Sequence, residues 1–321
     1  MDRPMLGILM MLMFCLLAPL GDALAKILGA QLPVGELVLI RFGFQAVLMT
    51  PLVLATRGAA GMRVSRRVLG FTLLRTLFHI GGITAMFLAL TYLPLADAIA
   101  IAFVMPFLLL LLGWLLLDEE VGPRRLIACF IGFLGTLLVI QPSFAAVGIA
   151  ALLPLAVAVY FASFMLTTRV IAREVDAIPL QALSALIALP ICGAILLAGQ
   201  GSDMPLLAWE PPRAGHWPLL IALGCTGTAA HLFMTWSLRF APAATLAPMQ
   251  YLEIPIATLI GLFLFSEFPD GLALVGISIV MGSGLYIVFR ERALAQKARI
   301  TATPAHAAGP SSSPSNTDAA G

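Results

Sequence analysis

Six ionisable side chains stand inside long apolar runs: Asp22, Lys26, Arg41, Arg75, Asp97 and Glu253. On insertion scales an ion at mid-bilayer costs on the order of 3 kcal/mol. Each therefore calls for a partner, a wet cavity or a ligand. Asp22 and Lys26 lie four residues apart, one turn along one helix face, which predicts mutual neutralisation. Glu253 has no basic neighbour in sequence and is the sharpest candidate for lining a cavity. Pro248 and Pro255 bracket Gln250, Tyr251 and Glu253. A proline removes a backbone hydrogen bond and kinks a helix, so this stretch is expected to be irregular and polar. Lys26, Arg41, Gln250, Tyr251 and Glu253 are expected to meet in one cavity and hold a polar molecule. Phe103, Tyr160, Phe161, Phe164 and Trp236 add flat walls suited to a planar heterocycle, since aromatic rings stack in offset or edge-on geometry. Asp22, Arg75 and Asp97 are left for ion coupling or charge pairing. His79 and His231 read as hydrogen-bonded interior histidines.

The rest of the sequence excludes more than it adds. There is no GxxxxGK[ST] loop, no HExxH and no GxSxG, and the four cysteines form no CxxC. No enzyme, ATP-driven pump, metal site or cofactor is expected. The formal net charge of +2 does not implicate nucleic acid.

The elements that must carry these residues are membrane spans. The 321 residues are 61% hydrophobic and only 11% charged, with a mean hydropathy of +1.03. Soluble domains carry about 25% charge. Apolar runs near 5–28, 34–55, 69–91, 95–117, 123–141, 146–168, 178–199, 217–238, 243–265 and 271–289 lack the alternation of a barrel strand and predict helices. Ala23-Leu24-Ala25 mimics a signal cleavage site, but the run continues to Leu28 and further spans follow, so it reads as a span.

With the N-terminus in the cytoplasm, Arg3, the four arginines of 57–67, Arg124, Arg125, Arg169, Arg173, Arg239 and the basic residues of 290–299 fall inside, against Arg213 outside. That bias predicts both termini in the cytoplasm. Residues 92–122 repeat in 240–270: Leu93-Pro94-Leu95-Ala96 matches Ala241-Pro242-Ala243-Ala244, and Glu119 matches Glu267. The expected fold is an all-α integral membrane protein with ten transmembrane helices as two inverted five-helix repeats, at 1–141 and 142–292. Residues 293–321 are expected to be a disordered cytoplasmic tail. Inverted repeats with broken helices are a common build of secondary transporters.

The chain resembles the EamA family of the drug/metabolite transporter superfamily over roughly residues 5–290. The stretches that carry the resemblance are Asp22-Ala23-Leu24-Ala25-Lys26, Arg41, Leu93-Pro94-Leu95-Ala96-Asp97-Ala98, Glu119 with Gly122 and Gly132, Pro248-Met249-Gln250-Tyr251, Glu267-Phe268-Pro269-Asp270 and Ser283-Gly284-Leu285-Tyr286. Asp118 and Ser266 stand where the family usually has glycine before the glutamate, which questions the tightness of those two turns. The resemblance implies a central cavity built by spans 1–4 and 6–9, with spans 5 and 10 at the periphery. It implies a small-molecule substrate carried across the bacterial inner membrane, with lipid and a second copy of the chain as candidate partners. Riboflavin or a related vitamin is the expected single compound. Export of amino acids or their derivatives is the alternative, and a non-transporting scaffold is the alternative of another class.

Overall fold

Hydrocarbon offers no partner to backbone N–H and C=O groups, and this chain satisfies them within helices. The computed structural model describes residues 4–117, 123–241, 246 and 249–301, with no strand among them. The helices are α1 (Pro4–Gly29), α2 (Val34–Arg57), α3 (Arg66–Leu90), α4 (Leu95–Ala102), α5 (Met105–Leu117) and α6 (Pro123–Val147). They continue as α7 (Leu153–Ile171), α8 (Ala177–Gly199), α9 (Trp217–Phe240), α10 (Glu253–Phe265) and α11 (Gly271–Thr301).

Among the described residues, six helical stretches are long and apolar enough to cross a membrane, one of them the 46-residue stretch Leu126–Ile171. That stretch turns after α6, where Gly148 takes φ +64° and a 3-10 segment (Gly148–Leu152) leads into α7. The run expected at 95–117 is broken at Phe103–Val104, just before Pro106, into the shorter helices α4 and α5. The run expected at 243–265 is broken at Tyr251–Leu252, just before Pro255. Pro248 and Ala243 lie outside the described residues. Helix α11 passes the expected boundary at residue 292 and reaches Thr301.

Helix packing follows a two-fold rule. α1 packs along α9 and α3 along α7; α5 packs on α7 and α10 on α1; α2 meets α8, α4 meets α10, and α6 meets α11. Exchanging each helix for its counterpart in the other repeat returns the same pairs for all but α4 with α10, because the counterpart of α4 lies largely outside the described residues. The two breaks face each other at the centre, where the Phe103 and Tyr251 rings lie 5.2 Å apart, tilted by 40°. In α3 and α9, Thr76-x-x-His79 and Thr228-x-x-His231 repeat as well, and the two histidines meet with Nε2···Nε2 at 3.4 Å.

Helices α6 and α11 close on each other through glycine. A Cβ at Gly276 would stand 2.5 Å from the Gly135 carbonyl oxygen, and one at Gly132 would stand 2.8 Å from Ser283 Oγ. Such close backbone approach is the membrane mode of helix association. Ser266 caps α10 at φ +55°, the one non-glycine residue with positive φ among the described residues. The Glu267 N–H still reaches the Gly261 carbonyl at 3.0 Å. The turn is therefore kept in a left-handed conformation that glycine adopts more cheaply. Asp118 lies outside the described residues.

Candidate functional site

A cavity opens between α1, α2, α3, α7, α9 and the two broken helices. It holds about 820 Å³ free of atoms when its mouth is counted, of which the centre of a water molecule can visit about 90 Å³. Ligand pockets run to several hundred Å³, so the site is narrow in this conformation. Its α1 wall is one helix face: Phe14, Leu17, Ala18, Gly21 and Asp22 recur at helical spacing. In α9 the same spacing brings Gly227, Ala230, His231 and Met234 to the surface.

Most of the lining is apolar, with Phe14, Phe87, Phe103 and Phe161 as rings and Met86, Met105, Met165 and Met234 as soft contacts. The polar groups are Asp22, Arg41, His231, Gln250 and Glu253. Neither Asp22 nor Glu253 has a hydrogen-bond partner among the described residues. Gln250 donates weakly to Met165 Sδ at 3.5 Å, and its Oε1 has no partner. Arg41 is buried; its Nη2 reaches the Gly227 carbonyl at 3.4 Å and its Nη1 has no partner. Gly227 makes room for it, since a Cβ there would stand 2.8 Å from Arg41 Nε. Buried polar groups are paired in the great majority of proteins. Their concentration here, with acceptors in excess, marks a surface prepared for a donor-rich ligand.

Glu253 sits in the first turn of α10, so its carboxylate is at the positive end of a half-helix. Under the offset that aligns the repeats, Phe103 falls on Tyr251 and Met105 on Glu253. The backbone of the site is thus two-fold, while the chemistry is acidic in one half and a thioether in the other.

Of the residues singled out by sequence, Asp22, Arg41, Phe103, Phe161, Gln250 and Glu253 come together. The others do not. Lys26 is not paired with Asp22 and lies off the cavity. Its Nζ donates to Glu267 Oε1 and Oε2 at 2.6 and 2.8 Å and to the Leu93 carbonyl at 2.9 Å. Glu267 also accepts the Leu95 N–H at 3.2 Å, so Lys26 ties α1 to the turns that flank α4 and α10. A carboxylate held by two N–H groups is a better partner than a neighbour on the same helix face.

Arg75 is fully buried behind the cavity wall; it donates from Nε to Thr168 Oγ1 at 2.9 Å and from Nη1 to Ser184 Oγ, over the face of Phe164 at 4.5 Å. Phe164 is taken up by Arg75 and by His79, which stacks on it at 4.5 Å. Asp97 is a structural acceptor for Ser143 Oγ at 3.2 Å, linking α4 to α6. Tyr160 packs over Gly81 and is 38% exposed, on the outer face of α7. Trp236 packs on Phe233, and Tyr251 backs Phe103 from behind. Of the three α7 aromatics, Phe161 alone enters the wall, because the face set by Ala158 and Met165 runs through it at helical spacing. Phe14, Phe87 and Gly227 gave no signal by type. Only the helical period counted out from Asp22 and His231 points to Phe14 and Gly227.

Sequence comparison fixes the family. The model of the EamA-like transporter family matches residues 5–141 and 148–290. The chain belongs to the EamA-like transporter family. A riboflavin transporter of Brucella anthropi is 28% identical over 77% of this chain and 85% of its own. An S-adenosylmethionine uptake transporter of Rickettsia prowazekii is 25% identical over 89% of this chain and 93% of its own. A solved crystal structure superposes with TM-score 0.64 at 20% identity, covering 90% of this chain and 97% of that one, a likeness of fold alone. As an EamA-like transporter the protein is a multi-pass membrane carrier of a small metabolite. The two matched regions meet at the α6–α7 turn at Gly148.

Proposed function

We propose that this transporter carries riboflavin or a closely related vitamin across the cytoplasmic membrane, through the cavity between α1, α3, α7 and α9. The supporting observation is the split in its lining: phenylalanine and methionine walls beside an acceptor-rich cluster at Asp22, Gln250 and Glu253. A planar ring suits the walls and a hydroxyl-bearing arm suits the acceptors. Relatives named riboflavin transporters support the same reading. A second reading is an amino-acid-derived cation such as S-adenosylmethionine. Two carboxylates face one arginine in the cavity, and a relative named for that compound aligns over 89% of this chain. With no nucleotide-binding loop, transport is driven by a gradient or by exchange. Asp22 and Glu253 are the cavity acids available to couple it to protons.

The test is uptake of labelled riboflavin by vitamin-requiring cells that lack a carrier of their own and express this chain. Growth on limiting riboflavin is expected to exceed the vector control, and counterflow in liposomes is expected to persist without ATP. Growth equal to the vector, with the protein present in the membrane, overturns the riboflavin reading. Uptake of labelled S-adenosylmethionine by the same cells would then support the second.

The arrangement proposed for this activity is ten crossings in two inverted repeats of five. Leu126–Ile171 crosses twice, α4 with α5 forms one broken crossing, and the segment ending in α10 forms its counterpart. Both termini lie in the cytoplasm; of the tail expected over 293–321, residues 302–321 lie outside the described residues. A homodimer is compatible with this arrangement. Cysteines introduced at Ala59 and Gly201, both exposed, are expected to label from opposite sides of intact cells. Labelling of both from outside overturns the topology.

A further inference from the structure

A second cavity lies on the outer face of the bundle, away from the candidate site. Helices α6 and α11 are in contact at Gly135 and Gly276, and the cavity lies between them on the N-terminal side of α6. The wedge between them holds about 380 Å³ and is lined by Arg124, Ile127, Ala128, Ile131, Ser283 and Tyr286. Gly282 adds to its width, since a Cβ there would meet nothing within 4 Å. Its walls are apolar, its mouth faces the surroundings of the bundle, and its polar end carries Arg124, an exposed cation with no ion-pair partner among the described residues. We propose that this wedge is a binding site for one anionic phospholipid, with its phosphate on Arg124 and an acyl chain lying along Ile127 and Ile131.

The charge and the shape point to the same occupant. A membrane protein's grooves are filled by lipid, and basic pockets between transmembrane helices select anionic headgroups. An arginine fork matches phosphate oxygens in pairs, and Tyr286 lines the same wedge. Inorganic phosphate would leave the apolar walls and most of the 380 Å³ unfilled. The first turn of α6, in which Arg124 sits, adds the positive end of its dipole to that of the side chain.

The experiment is native mass spectrometry of the full chain in detergent, titrated with phosphatidylglycerol or phosphatidylcholine. Wild type is expected to retain one phosphatidylglycerol about fivefold better than phosphatidylcholine, the size of one arginine's contribution near an anionic surface. Arg124→Gln is expected to remove the preference and Arg124→Lys to keep most of it. Gly282→Leu is expected to reduce retention of both lipids by filling the wedge. Equal retention of the two lipids by wild type, or unchanged preference in Arg124→Gln, overturns the proposal. Displacement of the bound lipid by excess inorganic phosphate, or a dimer in place of the lipid-bound monomer, also overturns it. The arginine pair decides the matter even if Gly282→Leu fails to fold.

Discussion

Replacing Glu253 by Gln should lower the initial rate of transport at least tenfold while leaving the amount of folded protein unchanged. Glutamine has the same shape and keeps one acceptor, so packing at the start of α10 is preserved. What is lost is the ionisable carboxyl group that faces the cavity. A hydrogen bond to a charged group contributes about 1.5–3 kcal/mol, which corresponds to roughly tenfold to a hundredfold in affinity. Asp22→Asn should act in the same direction, since its carboxylate faces the same space. Lys26→Met separates site from scaffold. Lys26 holds Glu267 and the Leu93 carbonyl and does not line the cavity. Its loss should lower the yield of folded protein, while the protein that folds keeps its affinity for substrate. The measurement is uptake normalised to monodisperse protein in the membrane. Wild-type uptake by Glu253→Gln would remove the carboxylate from the site.

Gly276→Leu should lower the melting temperature by about 10 °C or prevent folding outright. The obstruction at this position is backbone: the Gly135 carbonyl oxygen stands 2.5 Å from where a Cβ would be, and Val139 stands 2.7 Å away. No rotamer relieves a clash at Cβ, so α6 and α11 must move apart along the whole seam. Overpacking of this kind costs about 3 kcal/mol at the upper end of its range, which sets the size of the shift. Gly282→Leu, six residues along the same helix, is the control. Its added Cβ meets open space, so it should fold and melt close to wild type. A melting point for Gly276→Leu equal to that of Gly282→Leu would show that the seam is not closed as described.

The sequence was most legible where one residue type has one physical consequence. Apolar runs that cannot be barrel strands had to be helices. Pro106 and Pro255, each inside such a run, foretold irregular helices, although whether each would kink or break depends on the tertiary setting. Glu253, with no local partner, does face a cavity. Lys26 was misjudged because a partner at i+4 is visible in sequence and one 241 residues away is not. Tyr160, Phe164 and Trp236 were misjudged for a related reason. In an all-apolar helix no polar face marks which side is outward, so the rotation of α7 and α9 is set by packing. Gly227 shows the same limit from the other side. It lines the cavity only because the helix happens to present that face, and its type announces no binding role.

The facing breaks at Phe103 and Tyr251 also bear on how the molecule can move. A continuous helix tilts as one rod, so widening a gap at one end narrows it at the other. A rod with a joint at mid-length is free of that constraint. The segments beyond the joints, α5 and α10, are 13 residues each, or about 20 Å at 1.5 Å rise per residue. A swing of roughly 10° about the joint carries the far tip of such an arm by about 3 Å, close to the thickness of an aromatic ring. The fulcrum is shared by both arms and sits beside Glu253, so a ligand seated there rests where the leverage on the two arms begins.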